Sequence, residues 1–264
     1  MVLVVFFLVS ILSSIVGSIC GIGGGVIIKP VLDATGVMSV SAISFLSGCT
    51  VLAMSVVSVY KNVRAGQVKL RWKISTPLAI GGAAGGVLGK WMFHALEEMV
   101  GNDNLVGMVQ AIVLILVTGG TLVYTVFKQR IRTKEYENLV LCVVIGLLLG
   151  IMSSFLGIGG GPINLVVLAF FFSMSTKEAA ANSLYIILFS QVTSLVQTVA
   201  TASIPEVNIW YLVFMVVGGV LGGFLGSKIN KNLSEDRVNK LFILLMAVII
   251  AINVYNAVKF GVLA

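Results

Sequence analysis

The five residues Gly21-Ile22-Gly23-Gly24-Gly25 return letter for letter as Gly157-Ile158-Gly159-Gly160-Gly161, 136 positions later. Each copy ends one apolar run and is followed by another, Val26 to Leu32 and Ile163 to Phe172. Glycine inside a helix costs about 1 kcal/mol relative to alanine, so four in five residues break it. A break in an apolar stretch frees backbone N–H and C=O groups, which in lipid must meet protein partners or a water-filled cavity. Broken helices at matching places in two halves of a chain are the sequence pointer to a transporter binding site.

That the surroundings are lipid follows from composition. The chain is 58% hydrophobic and 10% charged, where a soluble domain carries about 25% charged residues. Its mean hydropathy is +1.10, and apolar runs near bilayer length recur from end to end. The expected class is an all-α polytopic membrane protein with no room for a soluble domain. The alternating ten-residue segments of a β-barrel are absent. The net charge of +7 comes from basic residues gathered in short loops, which reports topology and not nucleic-acid binding. Met1 to Leu12 is apolar without a basic leader or cleavage site, so it reads as a retained first segment. Cys20, Cys49 and Cys142 have neither zinc-like nor CxxC spacing and read as small buried residues.

Taken in order, Val2 to Cys20 reads as a helix and Val26 to Leu32 as a short arm. Asp33 to Ser39 reads as a turn, and Val40 to Tyr60, Ile74 to Phe93 and Leu105 to Phe127 as spans. The second half replays this with Asn138 to Leu156, Pro162 to Phe172, Lys177 to Ala202, Val207 to Gly226 and Leu241 to Val258. Gly81-Gly82, Gly85-Gly86 and Gly89 form small-xxx-small rows suited to close helix packing, and Gly218-Gly219, Gly222-Gly223 and Gly226 match them 137 positions later. The chain is therefore expected to hold two five-segment repeats, 1–134 and 135–264, each opening with a glycine-broken pair that is either a re-entrant hairpin or two short spans. The basic loops at 61–73, 128–134 and 228–240 are expected in the cytoplasm, and the acidic loop at 97–104 and the loop at 203–208, which has no basic residue, outside. Those placements make the repeats inverted and put both termini outside.

The two glycine stretches, with Pro30 and Pro162 downstream, resemble the sulfite exporter TauE/SafE family of membrane transporters. Arg64-Ala65-Gly66-Gln67-Val68 before Trp72, Ala180-Ala181-Asn182-Ser183 and the glycine-rich helices carry the resemblance across both halves. Such proteins move sulfite, sulfonates or related sulfur-containing anions across the cytoplasmic membrane. The resemblance thus implies a small anionic substrate and a lipid bilayer as partners, with a homo-oligomer left open. One departure is Lys29, where the family often has an apolar residue before the proline.

An anion needs donors in a low-dielectric setting, and helix N-termini supply them. Gly23, Gly24 and Gly25, with Gly159, Gly160 and Gly161, open the arms and let the backbone approach an oxyanion, having no Cβ. The plainer role for such glycines is tight helix crossing. Lys29 lies between apolar arms and is either a ligand or a snorkelling cation paired with Asp33. Lys90 reads as snorkelling near the outer end of its helix. Ser44, Ser47 and Thr50 share a helical face, with Asn182, Ser183 and Gln191 as rough counterparts and Asn164 inside the second arm. Each could donate to an oxyanion or make ordinary interhelical hydrogen bonds. With one histidine, His94, and no Ser–His–Asp set, P-loop or HExxH, neither an enzyme, a metal nor a cofactor is expected. The expectation is a secondary transporter working by alternating access. An anion channel and a non-transporting scaffold are the rival readings.

Overall fold

The computed structural model describes residues 2–65, 70–158 and 160–263. Gly66, Gln67 and Val68 of the Arg64–Val68 stretch, the loop residue Lys69, and Gly159 lie outside the described residues. The chain is helical almost throughout: α1 (Val2–Cys20), α2 (Gly25–Thr35), α3 (Val40–Ala65), α4 (Trp72–Val100) and α5 (Asp103–Phe127), then α6 (Leu139–Phe155), α7 (Pro162–Phe172), α8 (Thr176–Ala200), α9 (Ile209–Asn232) and α10 (Glu235–Leu263). A 3₁₀ turn, Lys128–Arg130, follows α5. Six of these helices are long and apolar enough to cross a membrane: α1, α3, α5, α8, α9 and α10. The protein is a multi-pass, all-α membrane protein.

Several helices outrun the limits read from hydropathy. Glu97 and Glu98 lie in the last turns of α4, and most of the loop at 228–240 is helical. Hydropathy marks the apolar portion of a span, while the backbone goes on bonding into the polar zone until a cap stops it. Asn102, Asn138 and Asn208 cap α5, α6 and α9, and Ser175 with Glu178 forms a capping box on α8. The same effect corrects Asp33, expected in a turn. It belongs to α2, which runs to Thr35 and ends at Gly36 with φ 65°.

The glycine rows fix the packing. A Cβ on Gly81, Gly85 or Gly89 of α4 would overlap the carbonyls of Val143, Leu147 and Ile151 in turn, so α4 and α6 run parallel with backbones in contact. Gly218, Gly222 and Gly226 of α9 meet Ser10, Ser14 and Ile15 of α1 in the same rising order. Such close approach gains dispersion contacts where lipid offers no hydrophobic drive. Helix α7 doubles back so that its end meets the segment before α6 while its body packs on α8 and α5: Lys134 N donates to Phe170 O at 2.7 Å and Tyr136 N to Phe171 O at 3.0 Å. Helix α2 likewise folds back on α1, with Gly24 against Ser14 and with Ile28 and Leu32 packed around Phe6.

The basic segments gather at one end of the bundle. Lys128 Nζ donates to Asn239 Oδ1 at 2.7 Å, Ser175 Oγ to Glu235 Oε1 at 2.7 Å, and Arg71 reaches Phe172 O and Glu178. At the other end Glu97 accepts from Ser41, Asn104 reaches Leu263 O, and Lys259 Nζ donates to Ala34 O at 2.9 Å.

Candidate functional site

The two glycine breaks touch. A Cβ at Gly25 would overlap the Ile158 carbonyl and lie 2.9 Å from Ser47 Oγ, and one at Gly160 would lie 3.4 Å from Ile22 O. The breaks hold Gly21, Gly23, Gly157 and Gly160 at φ 75°, 78°, 64° and 131°, which a side chain with a Cβ adopts only at a cost of about 1–2 kcal/mol. Glycine here serves both the turn and the close approach. Against each break stands the long helix of the other half: Gly21 meets Ala180 of α8, and a Cβ at Gly157 would come within 2.5 Å of Ser44 Oγ on α3.

Beside Gly157 the packing opens into a small polar cavity. Ser44 and Gly48 of α3, Lys90 of α4, Ser153 and Ser154 of α6, and Gln191 and Ser194 of α8 line it. Lys90 is 8% exposed, and its ammonium lies 5.1 Å from the Phe93 ring. No hydrogen-bond acceptor or carboxylate partner engages it among the described residues. The hydroxyls of Ser44, Ser153 and Ser154 are buried without hydrogen-bond partners. A buried ammonium with no salt-bridged counter-ion is costly, and so is each idle hydroxyl. One anion in this cavity would satisfy both, accepting from the ammonium and the hydroxyls together.

The residues singled out from sequence fall in several places. Ser44 and Gln191 line the cavity, and Ser47 lies at the crossing of the breaks. Ser47 and Ser183 are buried with unpartnered hydroxyls. Gly23, Gly24 and Gly25 shape the first break without lining the cavity, and Gly24 packs on Ser14. Gly160, Gly161 and Asn164 line a separate, largely apolar cavity behind α6 with Ser153. Asn182 stands at the basic end, where Oδ1 accepts from Arg71 N at 3.1 Å and from Ser75 Oγ, and Nδ2 donates to Glu178 O. Lys29 is neither exposed nor free: its Nζ holds Asp33 Oδ2 at 2.8 Å, with the two side chains 3% and 8% exposed. His94 bonds Glu97 at 3.2 Å, and no metal-holding cluster occurs among the described residues.

Lys90 is the residue sequence reasoning passed over. Its signal was present. Gly82, Gly86 and Lys90 recur every four residues, so they share one face of α4. That face meets α8, with Gly82 on Ile186 and Gly86 on Ser190 and Thr193. A lysine one turn past two packed glycines points inward and cannot snorkel freely.

Comparison with known proteins settles the family. The family model described as sulfite exporter TauE/SafE matches residues 6–253. The chain belongs to that family. It is 22% identical over 265 residues to the probable membrane transporter protein YunE of Bacillus subtilis (strain 168), covering 89% of this chain and 91% of that protein. It is 27% identical over 249 residues to a probable membrane transporter protein of Xylella fastidiosa, covering 89% and 87% respectively. No solved structure matches significantly. Membership makes this chain a membrane transporter of the TauE/SafE type.

Proposed function

We propose that the chain is a secondary transporter that carries a small sulfur-containing anion, such as sulfite or a sulfonate, across the cytoplasmic membrane by alternating access. The observation that carries the reading is the Lys90 ammonium, which no carboxylate salt-bridges among the described residues, set among the unpartnered hydroxyls of Ser44, Ser153 and Ser154. That donor set suits a small oxyanion and repels a cation. The two units, 1–134 and 135–264, act as inverted repeats in this reading. The opposed glycine breaks support it, as do the parallel pairs α1 with α9 and α4 with α6, which exchange places between the halves. With the basic end in the cytoplasm, both termini lie outside. No chemical step is involved; the protein binds and releases.

The direct test is counterflow in liposomes with labelled and unlabelled sulfite. Wild-type protein should take up label faster when loaded with unlabelled sulfite, and Lys90→Met should lose most of that flux. Flux that rises linearly with concentration and ignores the trans anion would point to a channel. Absence of flux and of binding across sulfite, sulfonates and thiosulfate would point to a scaffold.

A further inference from the structure

We propose that Asp33 is the proton-coupling carboxylate of this transporter, exchanging its Lys29 partner for a proton when an anion enters the cavity beside Gly157. This rests on the anion-transport reading above. Asp33 is a buried acid inside a re-entrant helix. One of its oxygens holds Lys29 Nζ at 2.8 Å, and the other, Oδ1, is buried with no partner. Helix α2 packs against α1, α3 and α10. Helix α1 carries no acid or basic side chain, and the charged residues of α3, Lys61 and Arg64, lie at its far end. Helix α10 contributes Lys259, whose ammonium bonds Ala34 O at 2.9 Å, and α5 contributes Asp103 to the cavity that Asp33 and Lys259 also line. Asp33 therefore has one direct counter-ion, Lys29, and a route to water on the side away from the basic loops.

Lys29 connects the two sites. Its stem passes Gly157, where a Cβ would lie 3.5 Å from Lys29 Cδ and 2.5 Å from Ser44 Oγ. Gly157 and Ser44 are walls of the Lys90 cavity. One flexible side chain thus has a carboxylate on one side and the anion cavity on the other. An anion bound there competes with Asp33 for the ammonium. Once Lys29 turns to the anion, the carboxylate is buried with no partner, which favours its neutral form. A hydronium ion in the outer cavity then gives its proton to Asp33: one of its O–H bonds breaks as the carboxyl O–H bond forms, and water is left behind. When the anion leaves at the opposite face, Lys29 returns to Asp33 and the carboxyl gives its proton to water there. A monovalent anion and a proton move as a neutral pair, so the membrane potential does not oppose them.

The test uses isethionate, a sulfonate that stays ionised and so cannot carry the proton itself. Titration calorimetry of the purified full-length protein in two buffers of different ionisation heat counts protons bound with the anion. Wild-type protein should take up about one proton per isethionate, and Asp33→Asn none. In liposomes, a gradient of about one pH unit should concentrate isethionate about tenfold through wild-type protein and not through Asp33→Asn. Binding by wild-type protein without proton uptake overturns the coupling and leaves anion transport standing, and that measurement needs no variant. Accumulation by Asp33→Asn equal to wild type also overturns it. Failure of sulfite, isethionate and thiosulfate alike to bind or to exchange overturns both readings together.

Discussion

Two corresponding places in the two halves of the chain have opposite chemistry. Ser154, Ser194 and Lys90 line the polar cavity in one half of the bundle, and Ser18, Ser58 and Ser227 stand 136 or 137 positions from them. In the second place the three hydroxyls satisfy one another: Ser18 Oγ lies 2.8 Å from Ser58 Oγ and 3.0 Å from Ser227 Oγ. In the first, a lysine replaces one serine, and the Ser153 and Ser154 hydroxyls are left idle around it. The backbone frame is shared, since the same glycine rows bring α4 to α6 and α9 to α1. One side chain separates a closed hydrogen-bonded seam from a cavity whose Ser153 and Ser154 hydroxyls have no protein partner. The lesson is that corresponding positions in the two halves are packed alike, and one side chain decides whether the hydroxyls there satisfy one another.

The comparison can be broken most severely at the crossing that both compartments share. Gly25→Val would drive a side chain into the Ile158 carbonyl and Ser47, so sulfite counterflow should be abolished while the protein still inserts. Counterflow at the wild-type rate would show that the contact between the breaks is dispensable.

Lys90→Met comes next and separates binding from stability. Loss of a charged donor should weaken anion affinity by about 2 kcal/mol, or about thirtyfold, in a calorimetric titration. Without anion the same variant should unfold at a higher temperature, because a buried unpaired charge has been removed. If affinity is unchanged, Lys90 is not a ligand and the two compartments are alike.

The closed compartment gives a smaller effect of a different kind. Ser18→Ala removes the centre of the serine cluster and should cost about 1 kcal/mol of stability, read as a lower melting temperature, with anion affinity untouched. A matching loss of affinity would mean that this seam binds anion too. The mildest change is Ser44→Ala, where one of several donors is lost. Affinity should fall about threefold, and a rise would show that the hydroxyl hinders the anion.

Much of the frame was legible in the residues. The helix breaks at Gly21–Gly25 and Gly157–Gly161 follow from glycine's cost in a helix, and α1 and α7 keep the limits read for them. The packing role of Gly81, Gly85 and Gly89 follows from their spacing alone. Asp33 was less legible. A polar residue after a short apolar arm reads as a turn, yet pairing with Lys29 keeps it helical and buried. Asn182 resembled a site residue by type but is held at the basic end by Ser75 and by the backbone N–H of Arg71. Lys90 resembled a surface cation until α8 covered its face.

By itself the sequence determined a multi-pass helical bundle, two glycine breaks in register and basic segments suited to one end. These are properties of composition and of spacing along the chain, which act within a turn or a span. Only the tertiary structure decided that no carboxylate forms a salt bridge with Lys90 among the described residues, and that Ser44, Ser154 and Gln191 share a cavity with it. Those meetings join residues far apart in the chain and depend on how each helix is rotated about its axis. Periodicity says which face of a helix is polar; the packing of its neighbours says what that face meets.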